Sequence, residues 1–327
     1  MTKEHFVEAY GTVRYSISIG GSGASLIQQW IANAYPGLYD GLIVEASFPD
    51  AWTELINTND CISVLDYWND PTRWAPGVTW GPAEHSAVAN GDAPTSCVAF
   101  ATAFKSLLTP ADETGQLPPG QVYDPQTRPS GIRGTIWDYS VAQIGRRPAS
   151  ARGATERDIG RGFANRPLDT VGILFGLRAL DAGQITPAQF VDLNAKVGGR
   201  NIDYRPTQRR TAADPLALKR VYRSGYLNQA NNLHVPVIDI RGASNSELHD
   251  SFHSWSMRAR LNRANGHHRN QVIWNSFTAS GFIVDPALEA EAFDLKGVSI
   301  YVPLATGRHK MWGLGPRKTS TFRLQPS

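Results

Sequence analysis

The stretch Tyr15-Ser16-Ile17-Ser18-Ile19-Gly20-Gly21-Ser22-Gly23-Ala24-Ser25-Leu26-Ile27-Gln28-Gln29-Trp30 constrains the fold more than any other part of the chain. Its first residues alternate and include β-branched side chains, the pattern of a short strand. Gly20, Gly21, Ser22 and Gly23 follow in a row. Leu26, Ile27, Trp30, Ile31 and Ala34 then fall on one face of a helix. Strand, glycine turn, serine and helix together spell a nucleophile elbow, although Ala24 stands where G-x-S-x-G has its last glycine. Such a turn strains the serine backbone, so its neighbours must be small. The helix N-terminus offers free N–H groups and a positive dipole end to a developing oxyanion. Ser22 is therefore the expected nucleophile, with Gly23 and Gly21 as the backbone groups around the oxyanion. A plain tight turn fits the same glycines. A phosphate loop does not, because no lysine follows them.

Pro36 and Gly37 end the helix, and 41–47 is a mostly apolar run of buried-strand length. Strand, elbow, helix and strand make a right-handed parallel unit. Three motifs carry a family likeness: Gly20-Gly21-Ser22-Gly23, Ala34-Tyr35-Pro36-Gly37-Leu38-Tyr39-Asp40-Gly41 and Ala46-Ser47-Phe48-Pro49. Through them the chain resembles the tannase and feruloyl-esterase group of α/β-hydrolases. It is closer still to a poorly characterised family of that clan, large bacterial proteins of unassigned substrate. The likeness extends more weakly through residue 295. It implies an α/β chain with a partial α/β-hydrolase fold: a parallel sheet bearing the elbow, and a large, mostly helical and irregular lid insertion. It also implies a serine hydrolase acting on a small-molecule carboxylic ester, with no cofactor and no metal. One departure is Gly21, where tannases carry a cysteine.

In a complete α/β-hydrolase further strands precede the nucleophile strand, and one of their loops supplies the second oxyanion donor. Only residues 1–14 precede it here. The resemblance thus implies an N-terminally truncated core and leaves room for a second chain to supply the missing strands. An inactive or incomplete hydrolase fragment, serving as a binding or partner subunit, is the competing reading.

The expected organisation is 1–49 as the first part of the core, 50–232 as a lid or cap, 233–295 as the second part, and 296–327 as an unstructured basic tail. The lid segment holds Trp52, Trp68, Trp74, Trp80 and Trp137. Large aromatics mostly pack, and walls for an apolar substrate are their second role. The arginine-rich span 145–167 reads as a solvated loop, and 169–182 as a helix stopped by Gly183. Thr186-Pro187-Ala188-Gln189 is a capping box that opens a helix toward Gly198. A short helix is expected over 219–228.

Core strands return at 234–242 and 270–274. In α/β-hydrolases the triad acid follows the first of these and the histidine the second. Asn245 stands where an aspartate is often found, and an amide cannot stabilise an imidazolium by charge. The nearest carboxylates are Glu247 and Asp250. No histidine occurs in 275–283. The base is therefore expected to be His249, with His253 second, since both follow the carboxyl end of a core strand. His249-Asp250-Ser251-Phe252-His253 also spaces two imidazoles as a zinc helix does. It lacks the glutamate after the first histidine and an evident third ligand, so a zinc hydrolase through His249 and His253 is a third reading.

Charge narrows the partners. The net charge is +3, but 296–327 carries Lys296, Arg308, Lys310, Arg317, Lys318 and Arg323 and no acidic residue. The body is thus mildly acidic, with no basic stripe of the kind that binds nucleic acid. No apolar run is long enough to cross a membrane. The N-terminus has no apolar signal region, so a secreted or periplasmic location requires a longer precursor. Cys61 and Cys97 either bridge or remain two buried thiols.

Overall fold

Four short parallel strands form the centre of the computed structural model, which describes residues 2–89, 95–111, 117–242, 245, 247–276 and 285–298. Helix α1 (Thr2–Tyr10) leads to β1 (Ile17–Gly21), α2 (Gly23–Ala34) and β2 (Gly41–Glu45). Next come α3 (Ala51–Trp68), α4 (Pro82–Ala89), α5 (Thr95–Phe104), α6 (Ile136–Tyr139), α7 (Val141–Ile144), α8 (Ala154–Asp158), α9 (Leu177–Asp181) and α10 (Pro187–Lys196). The pair β3 (Gly199–Arg200) and β4 (Pro206–Thr207) is antiparallel and separate. Then α11 (Pro215–Ser224), β5 (Val237–Gly242), α12 (Phe252–Asn265), β6 (Gln271–Ser276) and α13 (Pro286–Val298) complete the described chain.

The main sheet runs β1-β2-β5-β6, with Ile19 opposite Ile43, Ile43 opposite Ile238, and Ile238 opposite Val272. Its inner strands are covered on both faces. Leu42, Val44 and Val237 pack with Ala32 of α2 and with Met257 and Leu261 of α12. Ile43, Ile238 and Ile240 pack on the other face with Ala292 of α13. Burial on both faces is why 41–45 reads as a continuous apolar run rather than an alternating one. Each such side chain contributes about 1.5–3 kcal/mol.

Between β2 and β5 the chain builds two clusters of its own. One gathers Cys61, Tyr67, Trp68, Trp80, Phe100 and Leu193. The other gathers Trp52, Leu55, Ile62, Trp137, Leu168 and Val221. Trp74 is partly buried against the first cluster. The tryptophans are thus packing residues, and the disulfide Cys61–Cys97 ties α3 to α5.

Several sequence expectations shift. The helix over 169–182 begins only at Leu177, because Gly172 and Gly176 take φ 83 and φ 76. Residues in that left-handed region interrupt a right-handed helix. The span 145–167 is solvated only in part: Arg146, Arg157 and Arg161 are exposed, but Arg147 pairs with Glu156, which is 1% exposed, and Arg146 donates to the Gly162 carbonyl. The capping box of α10 forms as expected. The helix expected over 219–228 starts earlier, at Pro215, behind the Asp214 cap. Helix α13 runs to Val298, so the change at residue 296 does not end it. Positions 299–327, and 277–284 after β6, lie outside the described residues.

Candidate active site

Ser22 sits between the carboxyl end of β1 and the first turn of α2, with φ 53 and ψ −121. That conformation is costly for a residue with a side chain, so the surroundings must hold it. The Ser22 N–H donates to the Glu45 carbonyl at 2.9 Å, and Ser25 Oγ donates to the Ser22 carbonyl at 2.5 Å. Gly20 is required for close approach: a Cβ there would lie 2.9 Å from both Ala24 Cβ and Gln28 Nε2. Gly21 closes β1 in register with Glu45, whose Cβ a Gly21 Cβ would meet at 3.5 Å. Gly23 is exposed, and a Cβ there would meet nothing within 4 Å. Space is therefore open on the side of Gly23 where a side chain would stand.

The sheet brings the segment after β5 to this turn. His249 Nε2 lies 3.0 Å from Ser22 Oγ. Its Nδ1 lies 2.7 Å from Glu247 Oε2. A carboxylate only accepts, so Nδ1 carries the proton and Nε2 is left to accept from the serine hydroxyl. The Phe48 ring lies 5.1 Å from the imidazole, centroid to centroid. Burial pushes the His249 pKa down, the bond and charge of Glu247 push it up, and Arg241 adds to the lowering. The net shift is downward, so the imidazole is neutral at neutral pH and free to take a proton.

The other candidates lie apart from this line. Asp250 Oδ2 accepts from Ser96 Oγ at 3.1 Å. Asn245 Oδ1 accepts from the Ser251 N–H at 2.7 Å, the role of a loop brace. His253, on α12, is completely buried with its Nε2 3.4 Å from Glu54 Oε2. Burial raises the Glu54 pKa well above its ordinary value and lowers that of His253 well below, so each tends toward its neutral form. His249 precedes α12, and the two imidazoles do not share a helix face. Among the described residues no group of three or more His, Cys, Asp or Glu side chains gathers as a metal site. A cavity of about 230 Å³, lined by Asn57, Ser96, Phe100, Asn245, Asp250 and Phe252, opens along the same segment.

Sequence reasoning missed the support beneath His249. Arg241 and Asp239 are fully buried on β5, facing α12. The signal was present: two opposite charges at alternate positions in an otherwise apolar strand.

A parallel sheet covered on both faces, with a serine turn at its carboxyl edge, defines an α/β-hydrolase-like protein. Within that class, the chain belongs to the tannase-like family of unknown function DUF6351, which matches residues 1–295. No curated protein sequence matches it. Among solved structures it is similar to a mutant of esterase E22 (13% identity, TM-score 0.31), with 90% of this chain and 64% of that one covered. It is also similar to an esterase from Aspergillus oryzae (15% identity, TM-score 0.33), with 84% and 52% covered. The chain thus spans 64% and 52% of the lengths of these two esterases.

Proposed function

We propose that this protein is a serine hydrolase of carboxylic esters, with Ser22 as nucleophile, His249 as general base and Glu247 as the acid that orients it. One observation carries the reading: His249 bridges Ser22 Oγ at 3.0 Å and Glu247 Oε2 at 2.7 Å. A neutral imidazole held between a hydroxyl and a carboxylate is the arrangement that activates a serine. The turn at Ser22 serves as a nucleophile elbow.

Ser22 Oγ attacks the ester carbonyl carbon while its proton passes to His249 Nε2. The imidazolium is stabilised by Glu247, and the carbonyl oxygen takes the negative charge beside the Gly23 N–H. Collapse expels the alcohol, which receives the proton from Nε2. Water, activated by the same nitrogen, then cleaves the acyl-serine and releases the acid. The open space at Gly23 supports access of the ester to this point. The family's tannase-like description agrees with an ester substrate. We assign 1–49 and 233–295 to the core and 50–232 to a lid over it. In support, β2 and β5 are sheet neighbours while the chain between them packs into separate clusters.

The test is labelling with a fluorophosphonate together with turnover of p-nitrophenyl acetate. The parent protein is expected to react at Ser22. Ser22→Ala is expected to abolish both signals with an unchanged circular dichroism spectrum. Turnover that survives this substitution overturns the assignment.

A further inference from the structure

We propose that Arg241 is the positioning residue that fixes His249 over Ser22, a role that rests on the serine-hydrolase reading above. Arg241 stands one residue before the end of β5, the strand between β2 and β6, and it is 1% exposed. Its Nη2 donates to the His249 carbonyl and, at 2.5 Å, to the Asp250 carbonyl. Its Nη1 donates to Ser254 Oγ at 2.9 Å and to the Ser47 carbonyl at 3.3 Å. One guanidinium therefore ties together the loop after β2, the backbone that carries the base, and the first turn of α12.

His249 needs such a support because its own backbone lies in no strand or helix. No ladder of hydrogen bonds sets its position, and the imidazole must nonetheless sit within bonding distance of a hydroxyl on another element. The planar fork of Arg241 supplies several donors in a fixed relation to β5. A buried cation is costly unless it is paired, and Asp239 stands two residues back on the same face of the strand. Ser47 Oγ donates to both Asp239 oxygens at 3.0 Å and Gln271 Nε2 to one at 3.2 Å. Glu247 and Asp250 add negative charge toward Arg241 from the loop side. The fold thus buries two opposite charges that favour each other electrostatically at the place where the catalytic backbone crosses the sheet edge. A lysine would keep the charge but could not span the four acceptors.

The distinguishing measurement compares Arg241→Lys with the parent in fluorophosphonate labelling rate and in kcat and KM for p-nitrophenyl acetate. Displacing a reacting group by an ångström costs about 10²-fold in rate. Arg241→Lys is expected to lose about that factor in kcat and in labelling rate, with KM and the circular dichroism spectrum unchanged. A folded Arg241→Lys with parental kcat, or one whose loss lies in KM, overturns the proposal. If Arg241→Lys does not fold, Ser254→Ala supplies the readout by freeing one arm of the fork. A severalfold loss confined to kcat then supports the proposal, and parental kcat overturns it. A parent that the fluorophosphonate does not label at all removes the serine-hydrolase reading itself, and the role of Arg241 falls with it. Labelling of parent and variant at equal rates removes only the role of Arg241.

Discussion

Glu247 and Asp250 flank the same imidazole along the chain, and geometry separates them. Glu247 Oε2 is 2.7 Å from Nδ1, while Asp250 Oδ2 accepts from Ser96. We expect Glu247→Gln to lower kcat by on the order of 10³-fold or more, because an amide neither fixes the tautomer nor stabilises the imidazolium. Asp250→Asn is expected to stay within about tenfold of the parent. The pH profile carries a sign. Glu247 raises the His249 pKa, so its loss should move the acid limb of kcat/KM to lower pH. The parent limb should already lie below the ordinary imidazole value of 6.5. Equal losses in the two variants would leave the assignment of Glu247 without support.

Helix α3, the longest among the described residues, was not legible in the sequence. Buried positions lie on nearly all its sides and include Glu54, Thr58, Asn59 and Ser63. A helix buried all round with polar residues inside shows no apolar stripe, so periodicity is silent. Its start is nonetheless well defined. Asp50, completely buried, accepts from the Thr53 N–H at 2.7 Å through one oxygen. The other oxygen accepts from the Asn228 N–H at 3.0 Å and from Arg260. Asp50→Ala removes the cap and leaves a largely buried guanidinium unpaired, a loss of about 3–5 kcal/mol. Asp50→Asn keeps the cap and is expected to cost less. Urea melts of the two variants check the order, and equal midpoints would show that the cap contributes nothing. By contrast α10 was legible, because its capping box is a local hydrogen-bond pattern written in four consecutive residues.

At the scale of the whole molecule, the protein buries ionisable groups beneath its candidate site, and that sets how stability follows pH. His253 has a folded pKa well below 6.5, with burial as the main cause. The unfolded chain then takes up the proton first. The stability from His253 is fully present above the unfolded value and is lost as the pH falls from there toward the folded value. Glu54 acts with the opposite sign: its raised pKa gives stability that is present below its unfolded value and lost as the pH rises through the folded one. Subtracting the melting temperature of His253→Gln from that of the parent isolates the histidine contribution. The difference should grow as the pH rises from about 5 to about 7. A constant difference would mean that His253 titrates alike in the folded and unfolded chains.

Features that depend only on neighbours in the chain could be read from the residues alone. The strand, the glycines at Gly20 and Gly23, the strained Ser22 and the helix behind it follow from local sterics and helix spacing. The apolar run that became β2 was legible because burial on both faces demands unbroken apolar residues. Tertiary structure showed which of the two carboxylates lies against the imidazole beside Ser22. Glu247, His249, Asp250 and His253 fall within a few residues of one another; His249 was the expected base, but spacing left Glu247 and Asp250 unranked. Pairing β1 with β2 and β2 with β5 carries the backbone of His249 to the turn, and Arg241 holds it there. The start of α12 turns His253 inward against Glu54. Register and packing between distant segments set these directions, and a local pattern contains no information about either.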